Sequence, residues 1–349
     1  MTDRETRITP LHGAGGELMD ELVARLILPR FGKKGSAQSD AAGAARIGLS
    51  ALDDGATVAL PKAGELVITT DNHLVKPIFF PGGDIGRLAA AGTLNDLAVM
   101  GARPIVLTLA AVIAEGFPIS DLERILDSFA AALGETDAVV ACGDTKVMPA
   151  GELDGIVLNT TGLGIAERAV SDAEFGVGDV VIASGTIGDH GMAILAAREE
   201  FRLSTELRSD VAVLWPMIER ALAVGGVHAM KDPTRGGLAA ALNEMARKSA
   251  TCIEIEEAAI PLRPEVAGLS ELLGISPLEV ANEGKAILVV DPAKADAVLA
   301  ALRSHPLGEA AAVVGRVTDE YPKRVILSTE VGGRRFLDMP LGDPVPRIC

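Results

Sequence analysis

Rings are scarce in this sequence: one Trp, one Tyr and eight Phe among 349 residues. The core must therefore be aliphatic, packed from Ala, Val, Leu and Ile. Cysteine is scarcer still, and Cys142, Cys252 and Cys349 lie too far apart for a zinc spacing or a disulfide framework, which points to the cytosol. Positive charge is also short, with 32 Lys and Arg against 48 Asp and Glu and a net charge of −16. That balance excludes nucleic acid as a sequence-independent partner, because such binding works by neutralising phosphates with Lys and Arg. A small phosphate ligand stays open, since backbone N–H groups and bound cations act locally against an acidic field. Long apolar runs are missing as well. The longest, PIVLTLAAVIAEG, is too short to cross a bilayer and reads as a strand, and the N-terminus MTDRETRITPLHGAGG has no signal-peptide core, so no membrane is expected. Neither a Walker A loop nor a complete G-x-G-x-x-G occurs.

What is present is length and alternation. A chain of 349 residues exceeds one ordinary core, so two domains are expected. GGELMDELVARLIL carries apolar residues at helical spacing after a glycine cluster, and GKKGSAQSDAAGAA reads as a loop. TVALPKAGELVITTD predicts two strands with Asp71 at the exit of the second. DIGRLAAAGTLNDLAVMG predicts an Ala-rich helix closing at Gly101, and DLERILDSFAAAL a helix capped by Ser120 or Asp121. AVVACGDT and DGIVLNTTGLGIAE read as strands. A boundary falls near AERAVSDAEFGVGD, and beyond it strands (DVVIASG, TCIEIEE, KAILVVD, AAVVGRV, RVILS) again alternate with helices. The class is α/β to α+β, divided into a Gly-rich segment and helix over 1–40, a first domain over 41–167, a second over 168–331 and a tail over 332–349.

Carboxylates recur at the ends of apolar runs beside glycine or small polar residues: Asp53 and Asp54 in LDDGA, Asp71 in ITTDN, Asp84 in PGGDIG, Asn95 and Asp96 in TLNDLA, Asp144 in CGDTK, Asp232 in MKDPTRGG and Glu283 in ANEGKA. Hard divalent cations take several such oxygens, and Mg²⁺ in particular bridges a few carboxylates to substrate phosphates. Lys146, Arg235 or Lys285 can balance the charge. Each segment alone is as well read as a turn, with Asp53 solvating a loop and Asp84 capping the helix after it. Asp96 stands apart, because an acid between Leu94, Leu97 and Met100 is costly to bury without a partner. DPTRGG suits either a helix N-terminus that receives phosphate or a plain cap for the helix through Leu238, Leu242 and Met245.

The ordered set GRLAAAGTLNDLAVMGARP, GDTKV, DPTRGGL and ANEGKA resembles the PurM-type ATP-binding superfamily. With LHGAGG near the start, FFPGGDIG in the middle and PRIC at the end, the chain is similar to one branch, the HypE hydrogenase maturation factors. The resemblance implies an N-terminal α+β domain whose strands pair with those of a second subunit, a C-terminal α/β domain stacked on it, and ATP with Mg²⁺ between them. It implies Asp54, Asp71, Asp96 and Asp232 as metal ligands and Gly13, Gly15 and Gly16 as a flap over the triphosphate. Asp53, Asp84, Asn95, Asp144, Thr145, Thr234, Arg235 and Gly236 become nucleotide contacts by position in the same motifs.

It also gives Cys349 a use that a terminal residue by itself does not have. Pro344 and Pro346 hold its approach extended, so the tail is expected to project, with Gly332 and Gly333 as hinge. In the HypE family this cysteine receives a carbamoyl group from HypF, ATP drives its dehydration to a thiocyanate, and the cyanide passes to iron on HypC–HypD. Lys146 and Glu283 match the family motifs associated with proton removal. Lys146 serves as base only if its pKa falls, which Asp144 opposes, so Lys146 as orienter with Glu283 as base is the better division. Two competing readings are a selenophosphate or ribonucleotide synthetase and a non-catalytic scaffold. LHGAGG lacks the reactive residue of the selenophosphate enzymes, and a degenerate scaffold is free to lose the acidic set that is intact here.

Overall fold

The computed structural model describes residues 7–9, 12, 21–32, 63–198, 205–341 and 348. Two sheets organise it. The first has strand order β1-β6-β4-β5, from β1 (Glu65–His73), β4 (Arg103–Ala114), β5 (Val139–Met148) and β6 (Ile156–Ala166). β1, β6 and β4 run antiparallel, whereas β5 lies parallel to β4 at the edge. A short ribbon of β2 (Phe79–Phe80) and β3 (Gly83–Asp84) precedes the helices.

Two helices cover one face of this sheet. In α2 (Ile85–Val99) small and apolar residues lie all round, so nearly the whole helix is buried, as expected for one sandwiched between layers. Asp84 starts it: Oδ1 accepts from the Gly86 and Arg87 N–H groups at 2.8 and 3.0 Å, the capping alternative among its two readings. The helix closes at Met100, and Gly101 follows with φ of 71°. α3 (Ile119–Leu133) buries Leu122, Ile125, Leu126, Phe129 and Leu133 along one stripe. Its N-cap is Pro118 with no side-chain cap, not Ser120 or Asp121, because the helix begins two to three residues earlier than the polar pair would set it. Gly86 lets α2 and α3 touch, since a Cβ there would lie 2.0 Å from the Ile125 carbonyl oxygen. α1 (Val23–Gly32), wound as a π-helix, docks on α3 through Phe31 edge-on to Phe129 and Arg30 paired with Asp127 at 2.6 Å. The opposite face of the sheet leaves Leu66 and Ile68 exposed.

The second sheet contains seven strands in the order β13-β12-β9-β11-β7-β10-β8. These are β7 (Val180–Ala183), β8 (Val227–Lys231), β9 (Cys252–Glu256), β10 (Ile287–Val290), β11 (Ala312–Thr318), β12 (Val325–Ser328) and β13 (Arg334–Phe336). The fully buried run Ile287–Val290 marks β10 as a central strand covered on both sides. α4 (Asp189–Ala197), α5 (Trp215–Val224), α6 (Gly237–Ser249), α7 (Pro264–Leu273) and α8 (Ala295–Arg303) complete the domain. One apolar cluster runs from Leu88 and Phe129 of the first domain into Met192 and Val280 of the second. Cys252 is buried and Cys142 half-buried, both free thiols inside strands. Among the described residues no helix is long and apolar enough to cross a membrane.

The tail departs from expectation. Gly332 and Gly333 close a tight turn between β12 and β13, with the Thr329 N–H donating to the Gly333 carbonyl at 2.7 Å, and are not a hinge. Leu337 is buried and bonded to Val325, so the chain is held to the sheet past residue 336. Residue 348 does not project: Ile348 is 1% exposed within the core cluster that joins the domains.

Replacing Gly86 with Ala drives a methyl into the α3 backbone. Overpacking of this kind costs roughly 1–3 kcal/mol, and thermal melting of the full chain should show a Tm several degrees below wild type.

Candidate active site

Strand alternation starts the site. On β1 the residues Val67, Thr69, Asp71 and His73 share the face turned to α2, while Leu66, Ile68, Thr70 and Asn72 face out. Gly92 of α2 faces them, where a Cβ would stand 3.0 Å from the His73 ring and 3.7 Å from Asp71 Oδ2. One helical turn on, Asp96 Oδ2 accepts a hydrogen bond from Thr69 Oγ1 at 2.7 Å. His73 Nε2 lies 3.0 Å from Thr160 Oγ1 and 3.9 Å from Asp71 Oδ2. Thr160 in turn bonds Thr93.

The second domain brings two loops. Asp232 follows β8, and DPTRGG then turns into α6 through Gly236 and Gly237, both at positive φ (73° and 59°). A Cβ on Gly237 would meet the Val280 carbonyl oxygen at 2.5 Å, so this glycine lets the two loops touch. No side chain caps α6, and neither Asp232 nor Thr234 fills that role. Asn282 of ANEGKA binds the partner loop, donating through its backbone N–H and Nδ2 to Pro233 O at 3.0 and 3.1 Å and accepting from Gly188 N at 2.7 Å. Glu283, next along, is 4% exposed, its backbone N–H donates to Asp210 Oδ1 at 3.1 Å, and its Oε1 has no hydrogen-bond partner among the described residues. Lys285 Nζ pairs with Asp210 Oδ2 at 3.1 Å with both side chains buried.

The electrostatics follow from crowding. Asp96 is pushed up to about 7, by burial first and then by the charge of Asp232. Burial also raises Asp232, against the pull of Lys231. Glu283 is raised well above the usual carboxylate range by burial, with Asp232, Asp210, Asp71 and Asp96 adding to it. His73 is lowered to about 4 by burial, Asp71 opposing and Arg235 adding, so its ring is neutral near pH 7. Carboxylates from both domains thus face one another closely enough to resist ionisation together, which is a setting for a cation. Among the described residues no three His, Cys, Asp or Glu side chains stand close enough to cage a metal ion.

The sequence-derived residues fall into groups. Asp71, Asp96, Asp232 and Glu283 converge, with Arg235 near enough to act on His73. Thr234 and Gly236 belong to the adjoining turn. Asn95 faces elsewhere: its Nδ2 donates to the carbonyls of Ala212 and Glu283 at 2.9 and 3.2 Å, and its Oδ1 accepts from Leu214 N at 2.8 Å, so its amide is spent on the domain seam. Asp84 is engaged as the α2 cap. Asp144, Thr145 and Lys146 lie on edge strand β5, exposed or half-buried, with Asp144 Oδ1 accepting from Thr145 N at 2.8 Å. β5 is separated from β1 by two intervening strands, which is about 14 Å at the usual strand spacing. Gly13, Gly15, Gly16, Asp53, Asp54 and Cys349 lie outside the described residues. Sequence reasoning missed His73 and Asp210. For His73 the period of two along β1 was a usable signal; Asp210, in RSDVAV, has no neighbouring glycine to mark it.

Residues 52–166 match the AIR synthase related protein N-terminal domain and residues 176–328 the C-terminal domain. The chain belongs to the AIR synthase related family. It is 44% identical over 348 residues to the carbamoyl dehydratase HypE of Rhizobium leguminosarum bv. viciae, covering 98% of this chain and 95% of that one. It superposes on a crystal structure of the hydrogenase maturation protein HypE in complex with ATP with a TM-score of 0.89 at 38% identity, covering 98% of this chain and 99% of that one. A HypE–HypF complex gives 0.77 at 39%, over 93% and 100%. Within the wider family, then, this chain is a member of the HypE proteins.

The raised carboxyls give a pH test with a definite sign. A folded-state pKa of about 7 against 3.8 unfolded means that the native chain holds the Asp96 proton more tightly, so stability is lost as pH rises through that interval. In metal-free buffer Asp96→Asn should therefore gain Tm over wild type as pH goes from 4 to 8, read by melts across that range.

Proposed function

We propose that this protein is an ATP-dependent carbamoyl dehydratase of [NiFe]-hydrogenase maturation, converting an S-carbamoyl group on its own Cys349 to a thiocyanate. The observation that carries the chemistry is the buried Glu283 carboxyl: its pKa is raised, its Oε1 lacks a hydrogen-bond partner among the described residues, and it lies among acids from both domains. The carbamoyl oxygen attacks the γ-phosphorus of ATP, ADP leaves, and the oxygen is now part of a phosphate leaving group. Two N–H protons are removed, the C–O bond breaks, and S–C≡N and inorganic phosphate result. A buried carboxylate whose hold on a proton is strengthened in this way is suited to take those protons.

Asp54, Asp71, Asp96 and Asp232 are the residues we assign to Mg²⁺, which when bound neutralises phosphate charge during phosphoryl transfer. Gly13, Gly15, Gly16, Asp53, Asp144, Thr145, Thr234, Arg235 and Gly236 are proposed to line the nucleotide. Lys146 is assigned to orienting the carbamoyl group. Its place on edge strand β5, outside the acidic cluster of its own chain, favours delivery by or across a second subunit. The exposed Leu66 and Ile68 on the outer face of the same sheet support pairing into a homodimer. HypF is the proposed carbamoyl donor, supported by the relative solved with it, and HypC–HypD the proposed acceptor of cyanide. Scattered cysteines favour the cytoplasm.

Glu283→Gln should bind ATP within about threefold of wild type by calorimetry, yet convert S-carbamoyl to S-cyanide at least ~100-fold more slowly, the usual contribution of a positioned base. Wild-type conversion removes Glu283 from the mechanism, and lost ATP binding moves it to the nucleotide site. Cys349→Ala should form no thiocyanate; ATP-dependent product formation that persists without the thiol would favour a ribonucleotide-type synthetase.

A further inference from the structure

The His190 ring is fully buried in α4, and both of its nitrogens are engaged. Nε2 lies 2.8 Å from the backbone carbonyl oxygen of Ile348, 158 positions away in sequence. A carbonyl only accepts, so Nε2 carries the proton. Nδ1 lies 2.7 Å from Ser209 Oγ and, in the neutral ring, accepts the Ser209 hydroxyl proton. Burial lowers the pKa of His190, which agrees with that tautomer. Ser209 is itself fixed: its Oγ accepts from Val211 N at 3.1 Å, and its N–H donates to Pro81 O at 2.8 Å. Phe80 packs edge-on against the imidazole at 5.5 Å between ring centres. The N–H that meets residue 348 is therefore aimed by a chain of contacts in the body, and no part of that chain is used by the phosphoryl-transfer chemistry.

The contact has two components. The Ile348 side chain shares an apolar cluster with Phe80, Met192 and Val211, and its main chain takes the one donor that His190 offers. Release of residue 348 exposes an apolar side chain and leaves a buried N–H without its acceptor, so the hydrogen bond and the burial break together. Because the acceptor is backbone, the docked segment is read by its path rather than by a polar side chain.

We propose that His190, aimed by Ser209, is the latch that holds Ile348 against the body and so sets where the cysteine bonded to it is presented for dehydration. His190 is a positioning residue. It is not among the residues assigned above to nucleotide, metal or proton removal, and it acts through Ile348. The relevance of the latch to catalysis rests on Cys349 as carrier, but its existence does not.

The test is the alkylation rate of each cysteine in the full chain, followed by peptide mass spectrometry with iodoacetamide and no nucleotide or partner present. Buried Cys252 serves as an internal monitor of folding. His190→Leu, which keeps the bulk and removes the donor, should raise the Cys349 rate at least fivefold while Cys252 stays protected. His190→Gln, whose Nε2 replaces the imidazole donor, should bring the rate back toward wild type. Ile348→Ala should raise Cys349 alone. If His190→Leu exposes Cys252 too, Ile348→Ala decides, since it keeps the His190, Ser209 and Phe80 side chains and truncates only what they hold. A Cys349 rate unchanged in the variant that keeps Cys252 protected overturns the latch. Because the assay involves neither ATP nor carbamoyl transfer, it separates failure of the latch from failure of the proposed activity.

Discussion

The Asn95 amide is the interaction on which the rest of the site depends. From the middle of a buried helix in the first domain it satisfies two carbonyls and one N–H of the second. One of those carbonyls belongs to Glu283, so the bond that joins the domains also sets the backbone of the proposed base. Asp96, the next residue along α2, lies against Thr69 on the neighbouring face. A single turn of helix thus serves the seam with one side chain and the acidic cluster with the next. Gly284 lets the ANEGKA loop close on this seam, since a Cβ there would sit 1.9 Å from the Asp210 carbonyl oxygen.

Bringing carboxylates together in this way is unfavourable without a cation, and the structure shows how the strain is distributed. Lys285 answers Asp210 and Arg263 answers Asp189, both at the edge of the cluster. Burial, with neighbouring carboxylates adding to it, pushes Asp96, Asp232 and Glu283 toward the protonated form. Buried acids held this way stabilise the fold weakly or not at all, and their placement is explained better by what they bind than by what they hold together. The Mg²⁺ ion assigned to these residues would supply positive charge when bound with the nucleotide, so ligand binding and domain closure are expected to reinforce each other.

Much of this was legible in the sequence. The two α/β units, the Ala-rich helix, and the acidic and glycine motifs could be read from periodicity, and Asp96 stood out because an acid among leucines needs a reason. What escaped were residues whose role depends on a partner far away in the chain. Asn95 sits in the same motif as Asp96, yet a helix presents adjacent residues about 100° apart, and the two amide and acid groups therefore meet different neighbours. His73 was passed over although the alternation Thr69, Asp71, His73 put it on the same face as the acids. The glycine pair 332–333 reads as a hinge in the sequence, whereas in the structure it is a tight turn, because β13 pairs with β12 across it and Leu337 is buried. Ile348 gave the same hint at the end of the chain, an apolar residue with a use for a core.

The two domains, held at one seam, enclose the buried carboxyl at which the proposed mechanism has a nucleotide phosphate meet a tethered carbamoyl group. The central claim is that ATP activates the carbamoyl oxygen directly. It is tested by labelling that oxygen with ¹⁸O on Cys349, allowing one turnover with Mg-ATP, and analysing the released phosphate by mass spectrometry. The account predicts that the label appears in inorganic phosphate as the thiocyanate forms. Thiocyanate formed with unlabelled phosphate, the ¹⁸O having gone to water, would contradict it.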